Sequence, residues 1–360
     1  MRKIRVGVIG QGRSGRNIHA KCLHERLRDR FEVGAVSDPR PERCEESHRE
    51  TGCEVHTDYR TLLEDSSLDL VVNASMSDQH VPINLEIIAA GRNLLAEKPL
   101  APTAADVDRM TEAAEKAGVL FAVFQQSRFA PTFLKLREIL DSGILGRTVM
   151  IKVAFNGFAR RWDWQTLQAR VGGNLYNTGP HPLDQALQLF GDEDPSVFCL
   201  MDRVNTFGDA EDHVKVVLSG ANRPTIDLEI SSCAGHSPYV YQVYASCGGL
   251  IGDHARLEWK YFKPEEAPEQ RLVRDPLPNR AYCGEELTWH TDSWESTPEW
   301  LSFDYRVEAF YASLYETMVN GAPLAVTVPQ VRRQIAVIEE CHRQNPLSRR
   351  FDEPAAGSGT

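Results

Sequence analysis

Through the first 125 residues, short apolar runs rich in β-branched residues alternate with stretches whose apolar positions fall three or four apart. The runs Arg5 to Ile9, Val33 to Ser37, Leu70 to Ala74, Asn93 to Ala96 and Leu120 to Phe124 read as strands, and the stretches near 14–27, 40–51, 81–90 and 104–117 as helices. In the last of these, Val107, Met110, Ala113 and Ala114 share a face and Gly118 stands where a C-cap glycine belongs. Such alternation builds a parallel sheet, because each parallel pair needs a crossover. Beyond about residue 145 the pattern changes. Segments near 148–155, 197–204, 213–219, 225–232 and 239–246 read as strands, with turn residues such as Gly220 to Pro224 between them, and helices are confined to about 182–190, 306–320 and 329–343. The expected fold is therefore α/β, with a doubly wound parallel sheet in residues 1–126 and an α+β domain in 127–345 carrying a large, mostly antiparallel open sheet. A tail, 346–360, follows, and beyond Phe351, where it ends in Pro-Ala-Ala-Gly-Ser-Gly-Thr, it is expected to fray.

Length and composition fit that division. A chain of 360 residues suits two domains, and 42% hydrophobic with 25% charged residues is ordinary globular balance. A net charge of −11 without a Lys/Arg cluster argues against nucleic acid. No apolar run reaches the ~18–20 residues a bilayer crossing needs. Met1-Arg2-Lys3 begins like a signal peptide, but the apolar stretch behind it, Val6 to Ile9, is too short and reads as the first strand. The eight cysteines are scattered, with no Cys-x-x-Cys and no zinc spacing, which predicts reduced thiols in a cytoplasm and no metal.

The chemistry begins at the end of that strand. Gly10-Gln11-Gly12-Arg13-Ser14-Gly15 is a Gly-x-Gly-x-x-Gly set between strand and helix. Gly10 permits the tight turn, Gly12 lets backbone amides approach a pyrophosphate, and Gly15 lets helix and strand pack. The second strand ends at Ser37-Asp38, where a carboxylate can accept both hydroxyls of an adenosine ribose and repel a 2′-phosphate. The reading is a Rossmann domain that prefers NAD to NADP. Arg40 and Arg43 lie just beyond and read more simply as solvated charges at a helix start.

Further motifs follow in order: the loop from Ser75 to His80, the triplet Glu97-Lys98-Pro99, and Gly172-Gly173-Asn-Leu-Tyr-Asn177-Thr-Gly179-Pro-His181-Pro-Leu-Asp184. With the glycine loop, they resemble the glucose–fructose oxidoreductase / inositol dehydrogenase family, often written Gfo/Idh/MocA, over nearly the whole chain. The resemblance implies a dinucleotide held by the glycine loop, Asp38, Ser75, His80, Glu97 and Lys98. It also implies a cleft between the domains in which Lys98 points at the reacting oxygen and His181 exchanges its proton. Asp184, three residues after His181, is positioned to share its face and orient it, or else to cap the helix. Many members carry Asp where this chain has Asn177, and an amide can position an imidazole or a substrate hydroxyl but brings no charge.

All six tryptophans follow residue 160, and Arg160-Arg161-Trp162-Asp163-Trp164 mixes charged groups with aromatic faces, a combination suited to sugars. Arg161, Asp163 and Trp164 are thus candidate substrate contacts, as is Arg128 near the domain junction. The expected activity is hydride transfer between a nicotinamide and a sugar, glycoside or inositol-like polyol. The alternatives are an oxidation–elimination enzyme of the glycosidase type that holds its NAD, and a non-catalytic dinucleotide sensor. Too few helices exist to cover both faces of the second sheet, which predicts a homodimer or homotetramer through it.

Overall fold

The computed structural model describes residues 2–277 and 282–351. Six parallel strands, β1 (Ile4–Ile9), β2 (Phe31–Ser37), β3 (Glu54–His56), β4 (Leu70–Asn73), β5 (Leu94–Ala96) and β6 (Phe121–Val123), form the first sheet in the order β3-β2-β1-β4-β5-β6. Val6, Val8, Val71, Val72, Leu94 and Leu95 are wholly buried, as befits a parallel sheet covered on both faces. The covering helices are α1 (Lys21–Glu25), α2 (Pro41–Thr51), α3 (Tyr59–Leu63), α4 (His80–Ala89) and α5 (Ala104–Ala117). The strand order reverses between β1 and β4, and ligands of such sheets bind at the carboxyl ends beside that switch point. The glycine loop, Ser75, Lys98 and Gln125 follow β1, β4, β5 and β6 and so share that edge.

The remaining helices are α6 (Pro131–Asp141), α7 (Asn174–Asn177), α8 (Pro180–Phe190), α9 (Pro298–Leu301), α10 (Phe303–Asn320) and α11 (Val328–Gln344). Eight strands, β7 (Thr148–Asn156), β8 (Ser196–Asp202), β9 (His213–Ser219), β10 (Thr225–Ser231), β11 (Tyr241–Ala245), β12 (Gly248–Gly252), β13 (Arg256–Tyr261) and β14 (His290–Glu295), form the second sheet. Its order is β14-β13-β12-β11-β7-β10-β9-β8, antiparallel except for the parallel pair β7–β10. Helices α6, α8 and α11 pack on this sheet. Val149, Phe198, Leu200, Tyr244 and Ile251 remain exposed on its strands.

Helices α10 and α11 return to the first sheet. Tyr311 meets Phe31 with ring centroids 5.4 Å apart, and Phe310 meets Phe124 at 4.8 Å. Arg332 pairs with Asp108 at 2.8 Å, and Glu339 accepts the Ala104 N–H at 3.0 Å. Arg170 bonds Asp78 at 2.6 Å, joining the loop before α7 to the loop before α4. The cleft is thus clamped from several sides.

Strand β3, helix α3, α6 and strands β12 to β14 are additions to the pattern expected from the sequence. The expected helix at 14–27 is a π-helical turn, Gly15–Ala20, running into the short α1. The start of the tail is held, since the Asp209 carboxylate accepts the backbone N–H groups of Arg350 at 3.0 Å and Phe351 at 3.4 Å. Residues 352–360, where fraying is expected, lie outside the described residues. Among the described residues no helix is long and apolar enough to cross a membrane, and no three His, Cys, Asp or Glu residues stand together as a metal site.

Candidate active site

The glycine loop has the conformation a dinucleotide requires. Gly10 has φ of +86°, and a Cβ there would stand 2.4 Å from the Ala74 carbonyl; one on Gly15 would stand 1.7 Å from the Gly10 carbonyl. A Cβ on Gly12 would meet only the Arg43 guanidinium, at 4.0 Å, so its backbone is open to a ligand. The Asp38 carboxylate, at the end of β2, accepts the Gln11 N–H at 2.8 Å and the Arg40 N–H at 3.0 Å. Arg43 reaches the same carboxylate at 3.3 Å, so it is turned toward the loop while its side chain stays 38% exposed. Buried Ser75 Oγ has no partner among the described residues, leaving a hydroxyl for a ligand at the switch point. Arg13 and Ser14 complete the loop, Arg13 exposed and Ser14 half-buried.

Two expected cofactor contacts stand behind the surface instead. Glu97 accepts from His19 Nε2 at 3.1 Å and from the Lys98 N–H at 2.9 Å, while His19 Nδ1 meets Tyr311 Oη at 2.7 Å. Burial alone would raise the Glu97 carboxyl, but the His19 bond and the charges of His19 and Lys98 hold it at about 2. Buried His80 lies 2.7 Å from the Pro99 carbonyl and 3.1 Å from that of Ser75. His80 braces the Glu97–Pro99 turn with both ring nitrogens against carbonyls, while the Glu97 carboxylate accepts two hydrogen bonds and keeps further lone pairs uncommitted.

Lys98 reaches across the cleft. Its Nζ donates to the Asn177 carbonyl at 2.7 Å, which fixes the ammonium while leaving it two further hydrogens to donate. Burial lowers its pKa; Glu97 opposes that shift, and Arg13 and Arg161 reinforce it. Asn177 closes the short helix α7, whose first turn is seated on buried Glu211: the carboxylate accepts the Leu175 N–H at 2.9 Å, and a Cβ on Gly173 would strike it at 2.3 Å. Burial pushes Glu211 up to about 7.

His181, in the first turn of α8, is oriented by a residue the sequence did not single out. Its Nδ1 lies 2.9 Å from Gln125 Oε1, and Gln125 Nε2 donates to the Pro180 carbonyl at 2.8 Å. The second bond fixes which end of the amide is oxygen, so His181 Nδ1 must carry the hydrogen and Nε2 the free lone pair. Burial and then Lys98, opposed by Glu97 and helped by smaller pushes from Arg306 and Arg13, bring the imidazole down to about 3. It is neutral at neutral pH.

Three expectations are corrected here. Asp184 does not orient His181; its carboxylate accepts from Arg128 Nε at 2.7 Å and Nη2 at 2.6 Å, and both side chains are buried. Arg128 is no substrate contact, since it also donates to the Ala325 carbonyl at 2.9 Å and to Gln330 at 2.6 Å. Asn177 does not bond the imidazole; it serves Lys98 through its carbonyl, and its side-chain amide, without a partner among the described residues, is left for the other expected role, a substrate hydroxyl. On the substrate side, Arg161 forms a fork on Asp163 at 3.1 and 2.6 Å and also reaches Gln165. Trp164 is half-buried beside them, and Trp162 is 80% exposed.

A parallel sheet with an open glycine loop at its switch point, facing a fixed lysine and a neutral histidine, defines a dinucleotide-dependent oxidoreductase. The NAD-binding Rossmann pattern of the GFO/IDH/MocA oxidoreductase family matches residues 4–125, and that family's C-terminal domain matches residues 133–251. The chain belongs to this family. It is 31% identical over 263 residues to the myo-inositol 2-dehydrogenase of Thermotoga maritima, covering 70% of this chain and 76% of that one. With the NADP(+)-dependent scyllo-inositol 2-dehydrogenase IolW of Bacillus subtilis it shares 27% identity over about half of each chain, 52%. The WlbA dehydrogenase of Bordetella pertussis, solved with NADH and UDP-GlcNAcA, has the same fold, with a TM-score of 0.76 at 21% identity over 95% of both chains.

Proposed function

We propose that this protein transfers a hydride between NAD and a hydroxyl-bearing carbon of a sugar or cyclic polyol. The observation that carries the reading is the pairing, in one cleft, of a Lys98 ammonium fixed on the Asn177 carbonyl with a neutral His181 whose Nε2 is free. When bound, the nicotinamide supplies the hydride acceptor. Lys98 donates to the alcohol oxygen and stabilises the charge that develops there. His181 Nε2 takes the hydroxyl proton, and Gln125 Oε1 then steadies the imidazolium through the Nδ1–H. The inositol dehydrogenases among the relatives support a polyol as substrate.

NAD is the favoured cofactor, because the Asp38 carboxylate stands at the end of β2. Arg43 offsets part of its charge and makes that preference a moderate one. Exposed Val149, Phe198, Leu200, Tyr244 and Ile251 support association through the second sheet. The test of the activity is absorbance in the reduced-nicotinamide band with NAD or NADP against a panel of sugars, inositols and glycosides. Reduction by at least one of them is expected, and tight NAD binding without turnover of any would sink the reading.

A further inference from the structure

Among the described residues Arg306 has no counter-charge. It lies in the first turn of α10, half-buried, with its guanidinium 5.5 Å from the ring centroid of Phe303, and it forms no ion pair or hydrogen bond with any described residue. Phe310, one turn further on the same helix face, meets Phe124 at 4.8 Å and Phe129 at 6.0 Å. Phe124 adjoins Gln125, the residue that holds His181, and α10 runs from here down to Tyr315, whose Oη donates to the Arg2 carbonyl at 3.0 Å at the opposite edge of the first sheet, so the first turn of α10 lies at the edge where ligands bind. Its positive charge is felt by His181, by His254 and by buried Tyr241, and burial lowers its own pKa. A half-buried guanidinium so placed can take a ligand's negative charge without breaking an existing ion pair. In a chain of net charge −11 the absence of a nearby carboxylate is not for want of acidic residues.

The other cations near the cleft have other duties. Arg161 is held by Asp163 and Gln165, Lys98 by the Asn177 carbonyl, and Arg13 belongs to the loop that faces a dinucleotide pyrophosphate. We propose that Arg306 receives a carboxylate of the substrate, so that the protein acts on an acidic sugar, a uronate or aldonate, in preference to a neutral polyol. A guanidinium matches a carboxylate in a planar, two-bonded fork. One unpaired arginine suits one negative charge, whereas a phosphate dianion calls for further cations. The proposal rests on the sugar-oxidoreductase reading for its substrate class, but its test does not depend on turnover.

The full-length protein, saturated with NAD at fixed ionic strength, would be titrated calorimetrically with glucuronate, galacturonate and gluconate. Glucose, galactose and glucitol serve as their neutral partners, and glucose 6-phosphate as the dianion. At least one acid should bind tighter than its neutral partner by roughly 10- to 100-fold, the range of a charge-assisted hydrogen bond. Arg306→Met should bring that ratio towards one, with Arg306→Gln as a second variant should the first fold poorly. Three results would each overturn the proposal: no acid favoured in the parent protein, a ratio unchanged in both variants, or glucose 6-phosphate bound more tightly than every carboxylate. Absorbance of reduced nicotinamide in the same samples tests the redox reading separately. Acid-selective binding without reduction would sink the dehydrogenase and leave Arg306 its ligand; reduction by neutral polyols without acid preference would do the reverse.

Discussion

Replacing Gln125 by Glu changes one atom of the group that holds His181 and adds a charge. The carboxylate would stand where Oε1 now lies, 2.9 Å from Nδ1. Unit charges about 4 Å apart interact by about 4 kcal/mol at an effective dielectric constant near 20, which corresponds to roughly three pKa units. Two effects reduce that. Burial raises the pKa of the new carboxyl itself, and the Pro180 carbonyl loses one donor, although Gln334 Nε2 still reaches it. A net rise of about two units or more is expected for the imidazole, from about 3 in the parent protein. The sign follows from the role of the neutral ring: protonation removes the base, so oxidation falls as pH drops through the His181 pKa. With NAD saturating, kcat/KM for alcohol oxidation reports the free imidazole. Its acidic limb should move upward in pH by the same two units or more in Gln125→Glu, while Gln125→Met, which frees the tautomer, should lower kcat without such a displacement. An unmoved limb in a well-folded, active Gln125→Glu enzyme would refute the assignment of His181 as base or of Gln125 as its holder.

Other changes separate chemistry from scaffolding. Lys98→Met and His181→Ala should each lower kcat by roughly 10²–10⁴-fold, the usual size of a general acid–base contribution, with NAD affinity retained on titration. Asp38→Ser should narrow or invert the ratio of NAD to NADP affinity, and equal affinities in the parent protein would remove Asp38 from the ribose. Asp184→Ala leaves Arg128 buried without its carboxylate and should cost about 3–5 kcal/mol in denaturant unfolding, with the acidic limb of the rate profile unmoved.

The sequence carried the fold where periodicity was strong. The parallel strands and α5 are legible because buried runs and a helical apolar face leave a direct signature, as at Val107, Met110 and Ala114. Strand β12, Gly-Gly-Leu-Ile-Gly, is hidden by its glycines, and β14, His-Thr-Asp-Ser-Trp-Glu, by its polarity as the edge of the sheet. At the site, Lys98 and His181 were visible through motif order. What their neighbours do was not, because a hydrogen-bond partner is chosen in space: Asp184 is three residues from His181 yet bonds Arg128, while Gln125 is fifty-six residues away and holds the ring. One signal was available, since Gln125 follows β6 as Lys98 follows β5, at the edge where such sheets bind ligands. Nothing local to Arg306 marked it; what sets it apart is that it is half-buried yet pairs with no described residue, whereas the unpaired helix arginines Arg49 and Arg137 are exposed.

The most direct test is the protonation state of His181 itself, read by ¹⁵N NMR of histidine-labelled protein with the resonance assigned by His181→Ala. At neutral pH the ring should show a protonated Nδ1 and a bare Nε2, and it should keep that pattern on acidification well below the ordinary histidine pKa of about 6.5. A ring protonated on Nε2 alone, or an imidazolium at pH 7, would contradict its role as the waiting base.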